Sequence, residues 1–233
     1  MKTIVHEIPY SPASNLDEEI FTASSVFFDI ETTGFSPAHT SLYLIGCAYH
    51  IEQMLYIKQF FAETPEEEKE VLEQFLLLLD GFDTIITFNG IGFDIPYLKA
   101  KCNTYECNEH FADFTYVDIF KSISQIKHIL QLPNYKQKTI EAFLGIGRND
   151  LYSGGELIEI YHSYTKEPRP DKLEILLLHN YEDVLDMPAL LPVLSYVHLF
   201  YGQYLSCSAS VSEYTDYKPV SYTHLTLPTI LLV

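Results

Sequence analysis

Residues 27–35 read FFDIETTGF. Phe27, Phe28 and Ile30 give this stretch the apolar, aromatic character of a strand entering a core, and Thr32–Thr33–Gly34 closes it with turn residues. Side chains alternate along a strand, so Asp29 and Glu31 project to one face. Two carboxylates held side by side against a core need a compensating cation.

Outward from this strand, residues 41–50 (SLYLIGCAYH) and 54–61 read as two further strands. The short gaps between the three favour an antiparallel meander. Pro65, with Glu66, Glu67 and Glu68 behind it, opens a helix whose apolar face is Val71, Leu72, Phe75, Leu76 and Leu79. A fourth strand is expected at 84–88, a helix at 93–101 and a fifth strand at 116–120. Helical patterns follow at 139–144, 156–164 and 172–200, the last broken near Pro188 or Pro192. Residues 1–24 lack periodicity and are expected to be a lead-in segment with one short helix. This order predicts a single α/β domain over residues 25–205, with helices packed on a mixed sheet.

The chain has 233 residues, 47% of them hydrophobic and 20% charged, which excludes a disordered protein. Its net charge of −18 excludes a general electrostatic grip on nucleic acid, so a phosphate-bearing substrate must meet a local basic or metal-bearing site. No run approaches the ~18 apolar residues that span a bilayer, and no membrane partner is expected. Cys47, Cys102, Cys107 and Cys207 are too few and scattered for a disulfide framework, which points to the cytoplasm. Cys102, Cys107 and His110 lack the spacing of a standard zinc site and read as free thiols beside a histidine. Residues 219–233, PVSYTHLTLPTILLV, carry no charge. Within them VSYTHLTLPT resembles the translation of a sequencing-library adapter, so 219–233 is expected to be non-native. Residues 206–218 are then a linker or a truncated continuation, and a missing C-terminal domain is expected if the adapter interrupts the gene.

Two more acids fall where a sheet edge would present them. Asp94 lies in FNGIGFDIPYL (88–98), where a glycine-rich turn meets a helix start, a position that also suits a helix cap. Asp183 lies in HNYEDVLDM (179–187), four residues after His179 and on the same helical face. If Asp29, Glu31, Asp94 and Asp183 converge, their stable state is as oxygen ligands of hard divalent cations. A pair of such ions can clamp a phosphodiester and activate water, and His179 has the chemistry of a general base. Asn89 reads equally as a turn residue or as a positioning residue. Asp118 reads as structural or as a support behind the site, and Glu182 and Asp186 as surface acids. Lys136, Lys138, Arg148 and Arg169 are the cations best placed to meet phosphate, though each also reads as an ordinary surface charge.

These motifs, DIETTG, then NGIGFD, then a histidine four residues before an aspartate, resemble the DEDD, or DnaQ-like, 3′→5′ exonuclease superfamily. More narrowly, with KTIEAFLGIGR (138–148), Ser153–Gly154–Gly155 and HNYEDVL, the chain resembles the bacterial YprB-type ribonuclease H-like domain. The resemblance implies a ribonuclease H-like fold with a mixed five-stranded sheet, three antiparallel strands then two parallel, and helices on both faces. It implies two Mg²⁺ or Mn²⁺ ions on Asp29, Glu31, Asp94 and Asp183, with His179 as the base and Thr32, Asn89 and Phe93 as substrate contacts. The implied activity is 3′→5′ exonucleolytic hydrolysis at single-stranded ends of DNA or RNA. In one respect the sequence departs from the family: a histidine stands at the spacing of the tyrosine subclass, and Leu178 fills the position of the histidine subclass. Two alternatives follow, an inactive nuclease-like module that binds nucleic acid or protein, and a structure-selective endonuclease on the same fold.

Overall fold

The computed structural model describes residues 1–12 and 14–201, with side chains through Leu199. The expected end of the domain at 205, the linker 206–218 and the tail 219–233 lie outside the described residues. Six strands form one sheet: β1 (Lys2–Pro9), β2 (Ser25–Thr32), β3 (Leu42–Ile51), β4 (Met54–Phe61), β5 (Thr84–Thr87) and β6 (Thr115–Asp118). Their order is β1-β4-β3-β2-β5-β6. β1 to β4, β4 to β3 and β3 to β2 pair antiparallel, and β2 to β5 and β5 to β6 pair parallel.

The expected count of five strands is therefore one short. The sixth, β1, comes from the lead-in segment, ahead of its short helix α1 (Asn15–Ile20). β1 is an edge strand. Only Ile4 and Ile8 turn apolar side chains onto the core, which leaves little alternation to read, and Pro9 is tolerated at an edge. The expected strand at 116–120 ends at Asp118, whose carboxylate caps helix α4 (Ile119–Ser124) by accepting the Lys121 amide at 2.9 Å. The following short helix α5 (Lys127–Leu130) was also not legible from periodicity.

The remaining helices are α2 (Glu68–Leu79), α3 (Asp94–Tyr105), α6 (Gln137–Leu144), α7 (Gly154–Lys166), α8 (Pro170–Leu190) and α9 (Leu194–Tyr201). Local chemistry accounts for their ends. α7 opens on a capping box between Ser153 and Glu156, and α8 opens with Pro170 in its first turn. Of the two prolines expected to break the last helix, Pro188 stays inside α8, while Pro192 lies in the one-turn 3₁₀ segment that separates α8 from α9.

Alternation along β2 divides the core. Val26, Phe28 and Ile30 join a cluster with Phe75 of α2, Leu98 of α3 and Tyr161 of α7. Phe27 joins a second cluster with Leu16 of α1, Ile119 of α4, Ile140 of α6 and Val184 of α8. Asp29 and Glu31 continue the Phe27 side. α8 crosses the sheet on this side at Gly46, the register partner of Asp29. The Asn180 amide occupies the space a Cβ at position 46 would need.

Candidate active site

The parallel ladder between β2 and β5 covers only Ser25 to Phe27, so the β2 edge beyond it faces no strand among the described residues. Asp94 fills that gap, its Oδ1 accepting the Ile30 amide at 3.3 Å. The turn before Asp94 is fixed from β6. The Asp118 carboxylate accepts the amides of Asn89 and Ile91, both at 3.1 Å, and Asn89 adopts a left-handed backbone with φ 68°. Asp118 thus has the structural role expected of it. Phe93, not Asp94, is the cap residue of α3, so the Asp94 side chain reaches the strand instead of closing its own helix.

α8 lays His179 and Asp183 over the same spot. His179 Nε2 lies 3.5 Å from Glu31 Oε1 and 3.3 Å from Asp183 Oδ2. One ligand atom from each of these three residues falls within 4.8 Å of the others, a spacing that a single cation can bridge. Between them, Asn180 donates to Asp29 Oδ2 at 3.3 Å, and Gln59 orients that amide by donating to Asn180 Oδ1 at 3.0 Å.

Four residues around this spot were read differently from the sequence. Asp150, not singled out there, accepts His179 Nδ1–H at 2.6 Å and is also reached by Lys138 Nζ at 2.7 Å. Glu182 is not a surface acid. It is buried and accepts the amides of Asn149 and Asp150, which pins the loop that brings Asp150 to the imidazole. Asp186 is half-buried, its acid pushed up to about 7 by burial and by Glu141. Arg148 is not an ordinary surface charge either. Its guanidinium is buried, donating to Asp183 Oδ1 at 2.6 Å and to Glu141 Oε1 at 3.0 Å. Acids surround the group that runs through KTIEAFLGIGR, and the sequence gives no periodic signal for such a contact across 35 residues.

Burial is the chief cause that pushes the Asp29 and Glu31 acids well above the ordinary carboxylate range, and the nearby Asp183 and Asp94 charges add to it. Burial also lifts Asp94 to about 7, against the amides that it accepts. Asp150 behaves oppositely: burial works against its charge, but Lys138, the Tyr152 amide and His179 together hold it below the usual range. Among the described residues no lysine or arginine pairs with Asp29, Glu31 or Asp94. An acid group that resists ionisation alone and lacks a protein cation fits a hard divalent ion. The carboxylate oxygens suit a hard divalent ion such as Mg²⁺ or Mn²⁺, with the His179 imidazole beside them.

The residues expected as substrate contacts, Thr32, Asn89 and Phe93, are next or close in sequence to Glu31 and Asp94. Thr32 spends its hydroxyl on the Gly34 carbonyl. Asn89 is exposed beside the turn, and Phe93 packs edge-on against Phe35, which is 89% exposed. Cys47, Cys102 and Cys107 form no disulfide among the described residues. No helix among the described residues is long and apolar enough to cross a membrane.

An open mixed sheet with β2 central, an Asp-x-Glu pair on it and a helix carrying the last acid across it define an α/β fold of the ribonuclease H type. A family model described as RNase_H superfamily matches residues 26–195, and the chain belongs to that superfamily. It is 29% identical to YprB of Bacillus subtilis (strain 168) over 177 residues, 74% of this chain and 41% of that protein. The family B DNA polymerase of Pyrobaculum calidifontis superposes with a TM-score of 0.53 at 19% identity, covering 75% of this chain and 24% of the polymerase. E. coli Exonuclease I in complex with a dT13 oligonucleotide gives a TM-score of 0.48 at 14% identity, covering 79% of this chain and 43% of that one. The chain thus spans less than half the length of each of these proteins.

Proposed function

We propose that the chain is a metal-dependent 3′→5′ exonuclease acting on single-stranded ends of DNA or RNA. The observation that carries this reading is the meeting of Asp29, Glu31 and Asp94 with the α8 residues His179 and Asp183, the first three acids lacking any lysine or arginine partner. Asp29, Glu31, Asp94 and Asp183 would hold two Mg²⁺ or Mn²⁺ ions. When bound, such ions supply charge neutralisation at the phosphodiester and a more acidic water. His179 holds its Nδ1 proton on Asp150 and turns Nε2 toward the acids, where it takes the proton of the attacking water. Asn180 holds Asp29, and Arg148 holds Asp183 by Oδ1, leaving Oδ2 turned toward His179. The exposed Phe35 ring, set edge-to-face with Phe93, would offer a stacking surface for the terminal base.

The test is a panel of end-labelled DNA and RNA oligonucleotides, single- and double-stranded, with Mn²⁺. The expected result is a ladder shortening from the 3′ end with the native chain and at least a thousandfold slower cleavage with Asp29→Asn, whose melting temperature stays equal or rises because one mutual repulsion is gone. Equal cleavage by the variant would overturn the reading. One observation favours a second reading, an idle nuclease-like module: the Arg148 guanidinium already neutralises Asp183. No cleavage of any substrate by the native chain, with the oligonucleotides still bound, would favour it.

A further inference from the structure

Basic charge is distributed unevenly along this chain. Residues 119–148 hold five of its fourteen lysines and arginines, Lys121, Lys127, Lys136, Lys138 and Arg148, against a single acid, Glu141, a net +4 in a chain of −18. Arg148 and Lys138 are committed to acids. Among the described residues, Lys121, Lys127 and Lys136 form no ion pair. Lys127 and Lys136 both line a groove of about 540 Å³, together with Phe88, Asn89, Phe120, Asn134, Tyr135 and Gln137.

The groove is aromatic as well as basic, and it is held in shape. Lys127 Nζ sits 4.5 Å over the Phe120 ring and 4.9 Å over the Tyr135 ring, and Phe88 and Phe120 lie 5.9 Å apart. The Tyr135 hydroxyl donates to the Lys127 carbonyl at 2.7 Å, and Asn134 Oδ1 accepts the Lys136 amide at 3.0 Å. At one end Gln137 donates to the Asp183 carbonyl at 2.8 Å, and Asn89 lies in the turn that leads to Asp94. The groove therefore opens beside the acidic site. Half-exposed rings flanked by unpaired ammonium groups are the composition that holds a single strand, with bases stacked on the rings and phosphates tracked by the lysines.

We infer that this groove binds the single-stranded nucleic acid that leads to the acidic site, with Phe120 and Tyr135 as base platforms and Lys127 and Lys136 as phosphate contacts. The inference rests on the nuclease reading for its direction but not for its chemistry. It deepens that reading by locating the strand and by explaining how so acidic a chain meets a polyanion.

Fluorescence anisotropy of labelled dT20 and U20 with the full chain in EDTA, where cleavage is suppressed, tests it. Lys136→Glu is expected to weaken binding of the preferred strand about tenfold at moderate salt, and Lys127→Ala several-fold. Each removed phosphate contact should flatten the salt dependence by about 0.7 in logarithmic slope. Photocrosslinking of 4-thiouridine or 5-iodouracil oligonucleotides to the native chain gives a second measurement that does not depend on a variant's folding, with crosslinks expected at Phe88, Phe120 or Tyr135. Native-like affinity in both lysine variants, no binding by the native chain, or crosslinks confined elsewhere would overturn the inference. The DNA and RNA arms show which sugar the groove prefers. Cleavage without groove-dependent binding would leave the nuclease reading standing alone. Groove-dependent binding without cleavage would do the reverse.

Discussion

At His179 the two ring nitrogens meet different surroundings. Nδ1 is held at 2.6 Å by Asp150, and Nε2 faces Glu31 and Asp183. An imidazole whose far nitrogen donates to a carboxylate has a fixed tautomer and orientation. On the proposed mechanism Asp150 would be a positioning residue for His179. Asp150→Asn is expected to lower kcat by about 10–100-fold, with KM little changed and the acidic limb of the pH–rate profile displaced. A parallel loss at every pH, or a change within twofold, would assign Asp150 a structural role. The acids Asp29, Glu31, Asp94 and Asp183 and the His179–Asp183 pair were legible because each stands in a short motif with strong local context. Asp150 was not, because its approach depends on Glu182 gripping the amides of a loop with no periodicity. Glu182 in turn looked solvated because its neighbour Asp183 gave the helix a charged face.

At the scale of elements, the centre depends on how closely α8 rests on the sheet. Gly46 allows that approach, with the Asn180 amide lying where any larger residue's Cβ would be. Gly46→Ala is expected to destabilise the fold by about 1–3 kcal/mol through overpacking. Because the displaced helix carries both His179 and Asp183, Mn²⁺ affinity by calorimetry should also fall at least tenfold at a temperature where the variant is folded. Gly155→Ala, where an added Cβ meets nothing within 4 Å, is the matched control and should leave Mn²⁺ affinity unchanged without lowering stability. Unaltered Mn²⁺ affinity in the folded Gly46 variant would show that helix spacing does not set the site. Among the elements, β2 to β5 were legible from dense apolar and β-branched runs. β1 was hidden by its one-sided pairing, and α4 and α5 by their shortness, since four to six residues hold too few turns for a helical period to emerge.

For the whole molecule, the acids with raised pKa values set how stability responds to pH. Burial raises Asp29, Glu31, Asp94 and Asp186 above the values they have in an unfolded chain, the last two to about 7. The folded protein thus keeps protons that the unfolded chain releases near pH 4. The stability this provides is full below that pH and is lost as pH rises through 7. Asp150 and Glu182 are shifted downward, and their contribution is already complete above about pH 4, so they do not oppose the trend between pH 5 and 8. The ion-free protein is expected to melt at a lower temperature at pH 8 than at pH 5.5. Mn²⁺ should raise the melting temperature more at pH 8, where its ligands are already ionised. Calorimetric scans at both pH values check this, and an equal or smaller Mn²⁺ effect at pH 8 would count against carboxylate ligation.

The positive stretch at residues 119–148 has a bearing on encounter as well as on holding. With a strand in the inferred groove, the net charge of −18 would repel a polyanion from most bearings, while the +4 stretch that ends beside Asp183 would admit it. The surplus of acids would then act as a filter on orientation, so that a strand that settles is already aligned with the acids.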